Sequence, residues 1–281
     1  MITLYNNKLT VSINELGAEI KSIVYCGNEQ MWDGRQEIWD GTAPVLFPIC
    51  GAVKDDKYTY LGKEYHLGQH GFGRTQLFSS VECHADKAVF LLKSSNETKA
   101  MYPFDFELYI TYTLCETSIK VSYDIKNLTD GDMYFSIGSH EAYLTPEGVE
   151  DYDIVFPEKE TLSSVLLYQR YLTHDSIPII NNSNVLPIYE KYFMLDSLIF
   201  TDLKSRSAIL RNRKTGREIK VDFPHANSLL IWHKPNAPYL CVEPWAGAAD
   251  FIDSDGDLTK KYGIIKLNKS QNYHADHTIT F

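Results

Sequence analysis

The strongest constraint on the fold is the run from Phe106 to Leu114, Phe-Glu-Leu-Tyr-Ile-Thr-Tyr-Thr-Leu, in which apolar and polar side chains alternate without a break. A short Glu-Thr-Ser turn leads into a second alternating run, Ile119-Lys-Val-Ser-Tyr-Asp-Ile125. A period of two sends successive side chains to opposite faces, so these arms predict an antiparallel hairpin with one buried face. Similar stretches recur from Leu9 to Ile13, Ser79 to Glu82, Val89 to Lys93, Ala208 to Arg211 and Ile219 to Phe223. Persistent helical periodicity is absent. At roughly 8–12 residues per strand the chain has room for a couple of dozen strands, and the expected fold is all-β, a large antiparallel β-sandwich. Nineteen tyrosines and thirteen phenylalanines suit broad pleated surfaces. No repeat, low-complexity tract or linker interrupts the pattern, so residues 1–281 are expected to form a single domain, a length that large sandwiches reach.

Charge narrows the partners. A net charge of −10 repels polyphosphate and anionic lipid, which argues against nucleic acid and membrane surfaces and for a small neutral ligand. With 44% apolar and 23% charged residues, the chain can bury a real core. Its first residues lack the basic, apolar and small-residue regions of a signal peptide, and no run approaches the ~20 apolar residues of a membrane span. The five cysteines, Cys26, Cys50, Cys83, Cys115 and Cys241, are odd in number, widely spread and without a CxxC pair. They are expected to be reduced core thiols of a cytoplasmic protein.

Several segments carry groups fit for proton chemistry. Pro44-Val-Leu-Phe-Pro-Ile-Cys-Gly51 is followed by Gln69-His70-Gly71-Phe72-Gly73-Arg74. Glycine lets neighbouring groups approach closely, so His70 is expected on irregular backbone beside a cleft; the alternative is a surface-loop histidine, with Arg74 a solvated charge or an ion-pair partner. In Phe135-Ser-Ile-Gly-Ser-His140 an apolar strand runs into an imidazole placed to exchange protons near neutral pH, unless that histidine is structural. Glu141 is expected to be solvated, with a second acid or a metal ligand as other readings. In Tyr239-Leu-Cys-Val-Glu243-Pro-Trp245 the carboxylate should be partly desolvated, which raises its pKa towards that of a useful base. The competing reading is a strand-end glutamate bonded to amides, and Trp245 is either a stacking face or core. Asp196, a lone acid in an apolar stretch, either holds substrate hydroxyls or caps a turn.

Metal signals are weak. Asp250, Asp253, Asp255 and Asp257 only faintly suggest a calcium loop, since the glycine and final glutamate fall outside the required spacing, and an acidic surface loop is expected. His274 and His277 lie at the polar C-terminal end, and no HxH or HExxH occurs, so no metal is expected. A phosphate loop, a dinucleotide fingerprint and GxSxG are absent as well.

Taken in order, these segments resemble the aldose 1-epimerase family, in particular its shorter bacterial branch associated with lactose and galactose operons. The resemblance runs through Leu16-Gly-Ala-Glu-Ile-Lys-Ser, Trp39 to Gly51, His70-Gly-Phe-Gly-Arg74, the hairpin from Tyr112 to Asn127, Gly138-Ser-His140, Val242-Glu-Pro-Trp-Ala-Gly and Lys261-Tyr-Gly-Ile-Ile-Lys-Leu. It implies a galactose-mutarotase-like supersandwich that opens a pyranose ring to the aldehyde and recloses it as the other anomer, without a cofactor. By the same resemblance Glu243 is the base that takes the C1 hydroxyl proton, His140 the acid that protonates the ring oxygen, and His70 a hydrogen-bond donor near that oxygen. Asp196 would hold sugar hydroxyls, with Arg74 and Trp245 as further substrate contacts. Two departures stand out. Ala52 occupies a position that is often arginine, leaving Arg35, Lys54 or Arg74 to supply a polar contact, and His140-Glu-Ala-Tyr replaces the usual His-Pro-Ala-Phe.

The expected substrate is a free aldohexose such as glucose or galactose, handled by a monomer or homodimer. A hexose-6-phosphate 1-epimerase would need converging arginines or lysines for a phosphate dianion. A non-catalytic carbohydrate-binding protein would have no use for an acid beside a base, and a metal-dependent β-barrel hydrolase would depend on a bound ion.

Overall fold

The computed structural model describes residues 1–194 and 196–281; Leu195, within the apolar stretch around Asp196, lies outside the described residues. Strands make up 53% of the chain and helices 8%, and the all-β antiparallel sandwich forms as expected. The hairpin that alternates most clearly sits within a nine-stranded antiparallel sheet. Across that sheet the order is Tyr171–Pro187, Tyr152–Tyr168, Ser207–Asn212, Glu218–Asp222, Asn272–Thr280, Ser118–Asn127, Phe106–Cys115, Lys87–Lys93 and Ser79–Cys83. Leu108 faces Ile125, Ile110 faces Tyr123, Tyr112 faces Val121 and Leu114 faces Ile119, all of them buried. A one-residue slip would turn this whole set towards water, so the alternation itself sets the register.

A five-stranded sheet shares the same continuous core. Its central strand, Tyr239–Ala246, is buried at every position. One edge pairs with Ser228–Trp232, and the other with both Ile137–Gly138 and Ala142–Leu144. Leu240, Val242 and Ala246 point into the main core, whereas Tyr239, Cys241 and Trp245 join smaller apolar clusters on the opposite face. Strand alternation puts Glu243 on that second face. An N-terminal sheet of Ile2–Tyr5, Leu9–Asn14, Glu19–Tyr25 and Asn28–Glu29 adds Leu4, Val11, Ile13 and Ile20 to the core. The α-helix Asn96–Met101, closed by a reciprocal Ser95/Thr98 cap, is too short to leave a periodic signature. No helix among the described residues is long and apolar enough to cross a membrane.

Several expectations are corrected. Cys50 and Cys241 are buried, but Cys26, Cys83 and Cys115 are exposed. Cys83 and Cys115 end their strands where the chain leaves the sheet, and Cys26 lies in a turn with φ of 47°. Glu141 is not solvated. It is 3% exposed and its Oε1 lies 2.9 Å from Nε2 of His277, which is buried rather than displayed at a polar chain end. Asp250 also leaves the surface: its Oδ1 accepts from Lys261 Nζ at 3.1 Å, with both side chains buried, while Asp253 and Asp255 stay exposed.

Candidate active site

His70, Arg74, His140, Asp196, Glu243 and Trp245 all line one cavity of about 270 Å³. Small-molecule sites usually hold ~300–1,000 Å³, so this one suits a single ring rather than a chain of rings.

Sheet register brings the central pair together. Gly138 pairs with Trp245 and Ala142 with Cys241, which is one continuous register across the gap between the two short strands. His140 therefore falls opposite Glu243, and its Nε2 lies 3.4 Å from Glu243 Oε2. Glu243 is 1% exposed. Burial first, then the charges of Glu141 and Asp196, push its carboxyl well above the ordinary range. Burial also drives the His140 imidazole down to about 4. The two groups titrate as a unit, and desolvation favours the proton on Glu243 with a neutral ring beside it. Glu243 Oε2 and His140 Nδ1 have no hydrogen-bond partner, an unusual state for buried polar atoms and one that a ligand would relieve.

His70 arrives from a loop. Its φ of 65° and that of Gly71, 66°, fold the chain tightly against the segment from Phe47 to Gly51. A Cβ on Gly71 would stand 2.4 Å from the Phe47 carbonyl oxygen, so only glycine fits there. The His70 amide donates to Gly51 O at 2.7 Å, and the Gly51 amide donates to His70 Nδ1 at 3.2 Å. A backbone amide can only donate, so Nδ1 is the bare nitrogen and Nε2 carries the proton, with the Gln69 side-chain amide, 3.3 Å from Nε2, turned to present its oxygen. Burial, with His140 and Arg74 nearby, holds this ring neutral by lowering its pKa well below the usual value. His70 is thus a fixed neutral donor, its ring edge-on to His140 at 5.7 Å.

The other expected residues take plainer places. Trp245 is a wall of the cavity, and its indole N–H is spent on Ser139 O at 3.1 Å, which steadies the turn before His140. Asp196 stands at the rim with φ of 99°, its carboxyl raised by burial. Arg74 is exposed and reaches Gln69 O at 3.4 Å. Of the three cations considered in place of an arginine at Ala52, only Arg74 borders the cavity; Arg35 lies over Trp32, and Ala52 is itself fully buried.

Sequence reasoning missed three contributors. Trp39 packs on His140 at 4.9 Å and Trp232 meets it edge-on at 5.5 Å, making the dry aromatic flank that lowers the imidazole. Arg170, at the tip of the long hairpin of Tyr152–Tyr168 and Tyr171–Pro187, also reaches the cavity, tied to Asp56 at 3.2 and 3.3 Å. No local pattern marks these residues, because each comes from a separate element. Cys241, two residues before Glu243 on the same face, offers a ligand atom within 4.8 Å of those of His140 and Glu243.

The family model for aldose 1-epimerase matches residues 1–274. The plasmid protein LacX of Lactococcus lactis is 33% identical, over 99% of this chain and 98% of its own. A galactose mutarotase related enzyme from Lactobacillus acidophilus superposes with a TM-score of 0.93 at 34% identity, covering 99% of this chain and 96% of that one. A galactose mutarotase-like protein from Lactobacillus casei gives a TM-score of 0.94 at 27% identity, covering 100% and 99%.

Proposed function

We propose, from the premise that this chain belongs to the aldose 1-epimerase family, that it interconverts the α and β anomers of a free aldohexose such as glucose or galactose. The carrying observation is the register that sets His140 against Glu243 at 3.4 Å in a cavity sized for one ring. Ring opening removes a proton from the C1 hydroxyl and delivers one to the ring oxygen. The step starts from the less favoured arrangement of the pair, reached when the one shared proton passes from Glu243 to His140: ionised Glu243 then takes the first and protonated His140 gives the second, leaving protonated Glu243, neutral His140 and the free aldehyde. That proton arrangement is the one burial favours, so the site stabilises the open-chain state it must pass through. After C1 rotates, the same two transfers run backwards and close the other anomer. The Nε2 proton of His70 supports the negative charge that develops on the ring oxygen.

A phosphorylated aldose is the second reading, favoured by Arg170, which joins Arg74 at the cavity. Its bidentate hold on Asp56 already occupies much of that guanidinium, so the neutral sugar comes first. Polarimetry on freshly dissolved α-glucose and α-galactose tests the proposal. Glu243→Gln should slow relaxation about 10²–10⁴-fold with the fold intact. Near-native turnover in that variant would overturn the assignment.

A further inference from the structure

We propose that Cys241, His140 and Glu243 form a binding site for a thiophilic divalent cation of the zinc type, one that inhibits by claiming the acid and the base at once. The ion would sit at the cavity floor, below the place of the sugar.

Three observations meet at this point. The donor atoms, one sulfur, one imidazole nitrogen and one carboxylate oxygen, lie within 4.8 Å of one another. They come from a rigid place, since Cys241 and Glu243 are two apart on one face of Tyr239–Ala246 and His140 lies across the ladder. The His140 Nε2 to Glu243 Oε2 separation of 3.4 Å already equals the edge of a tetrahedron around zinc, ~3.3 Å for bonds near 2.0 Å. With zinc–sulfur bonds of ~2.3 Å and zinc–nitrogen or zinc–oxygen bonds of ~2.0 Å the tetrahedral spacing from sulfur to the other donors is ~3.5 Å, so a thiol that now stands within 4.8 Å must close in by about 1.3 Å at most, a movement of side-chain size.

The second observation is chemical frustration. Glu243 Oε2 is buried and unpartnered, and it faces the imidazole without forming a hydrogen bond to it. The third is the field. Glu141 and Asp196 add negative potential at Glu243, and of the two cations that border the cavity Arg74 is exposed and Arg170 is held by Asp56. A Cys/His/Glu set selects zinc, cobalt or cadmium over magnesium or calcium, which want oxygen ligands only. A fourth position stays open towards the cavity, where a water completes the shell.

Proton balance follows from burial. The Cys241 thiol is held well above its ordinary range by desolvation, then by the charges of Glu243 and Glu141, and the Glu243 carboxyl is raised too. Both must lose a proton when the ion enters, whereas His140 is already neutral. Near neutral pH about two protons leave per ion, and affinity rises with pH.

Cobalt(II) provides the test, because a thiolate ligand gives a near-ultraviolet charge-transfer band that reads sulfur ligation directly. The titration uses the full chain carrying Cys26→Ser, Cys83→Ser and Cys115→Ser, which removes the exposed thiols. The expected result is a band that saturates at one equivalent and disappears when Cys241→Ser is added to a chain still folded by near-ultraviolet circular dichroism. Should that variant not fold, Glu243→Gln, which keeps the side-chain shape, is expected to weaken cobalt binding at least tenfold. No band, a band that survives Cys241→Ser, or unchanged affinity in Glu243→Gln would overturn the site. Inhibition of anomer exchange by zinc, competitive with sugar, rests on the proposed function. The cobalt spectrum does not, so failure of one is distinguishable from failure of the other.

Discussion

Replacing His277 by leucine should destabilise the protein in a strongly pH-dependent way. Glu141 and His277 are each 3% exposed and 2.9 Å apart, and Glu141 Oε2 has no partner at all. Burial alone pushes the Glu141 carboxyl up, but the charge and hydrogen bond of His277 more than offset it and hold the group below its ordinary value. Because the folded pKa is depressed, this pair contributes stability above the unfolded carboxyl range near 4.3, and loses it as pH falls through the folded value. His277→Leu strips the buried carboxylate of its hydrogen-bonded partner, which costs about 3–5 kcal/mol at neutral pH. At roughly 2.1 cal/mol/K per residue a chain of this length unfolds with an entropy of about 0.6 kcal/mol/K, so the thermal midpoint should drop by about 5–8 °C. In the variant desolvation acts unopposed and the folded pKa rises. The deficit relative to the native chain should therefore shrink as pH is lowered from 7.5 towards 4.5. Adding Glu141→Gln to His277→Leu removes the stranded charge and should recover much of the loss. Differential scanning fluorimetry of the native chain and the two variants across that pH range is sufficient. A drop below about 2 °C at pH 7.5, or a deficit that does not change with pH, would refute a charged Glu141.

Gly71→Ala forces a Cβ against the Phe47 carbonyl at 2.4 Å on a backbone with φ of 66°, and should cut anomer exchange at least tenfold by displacing His70, measured by polarimetry on folded protein. The His140–Glu243 pair should hold one proton from about pH 4, where the imidazole takes a second, up to the raised range of Glu243, giving a rate plateau whose acid limb lies far below 6.5. An acid limb near 6.5 would mean that an unperturbed histidine controls the rate. Arg170→Ala should leave KM for a neutral aldose within about twofold, whereas a marked rise for the 6-phosphate alone would favour the phosphorylated substrate.

Periodicity two made the sandwich legible, because a sheet with one buried face writes itself into consecutive residues. All seven alternating stretches are strands, and the hairpin from Phe106 to Cys115 keeps its register because any other would expose Leu108, Ile110 and Tyr112. His70, His140 and Glu243 could be singled out for a related reason: each sits beside glycine, serine or proline in the chain, and such interruptions are local. What only the tertiary structure decided is everything that depends on residues far apart in the chain. That His140 lies across from Glu243 is a property of pairing between strands a hundred residues apart, and the lowered imidazole comes from Trp39 and Trp232, which no neighbouring pattern connects to it. Glu141 and His277 looked like solvent-facing residues because charge suggests exposure; the pair is buried because the final strand, Asn272–Thr280, brings an imidazole to the carboxylate. Burial and pairing are sums over the whole fold, and a single chain read in order carries only their local part.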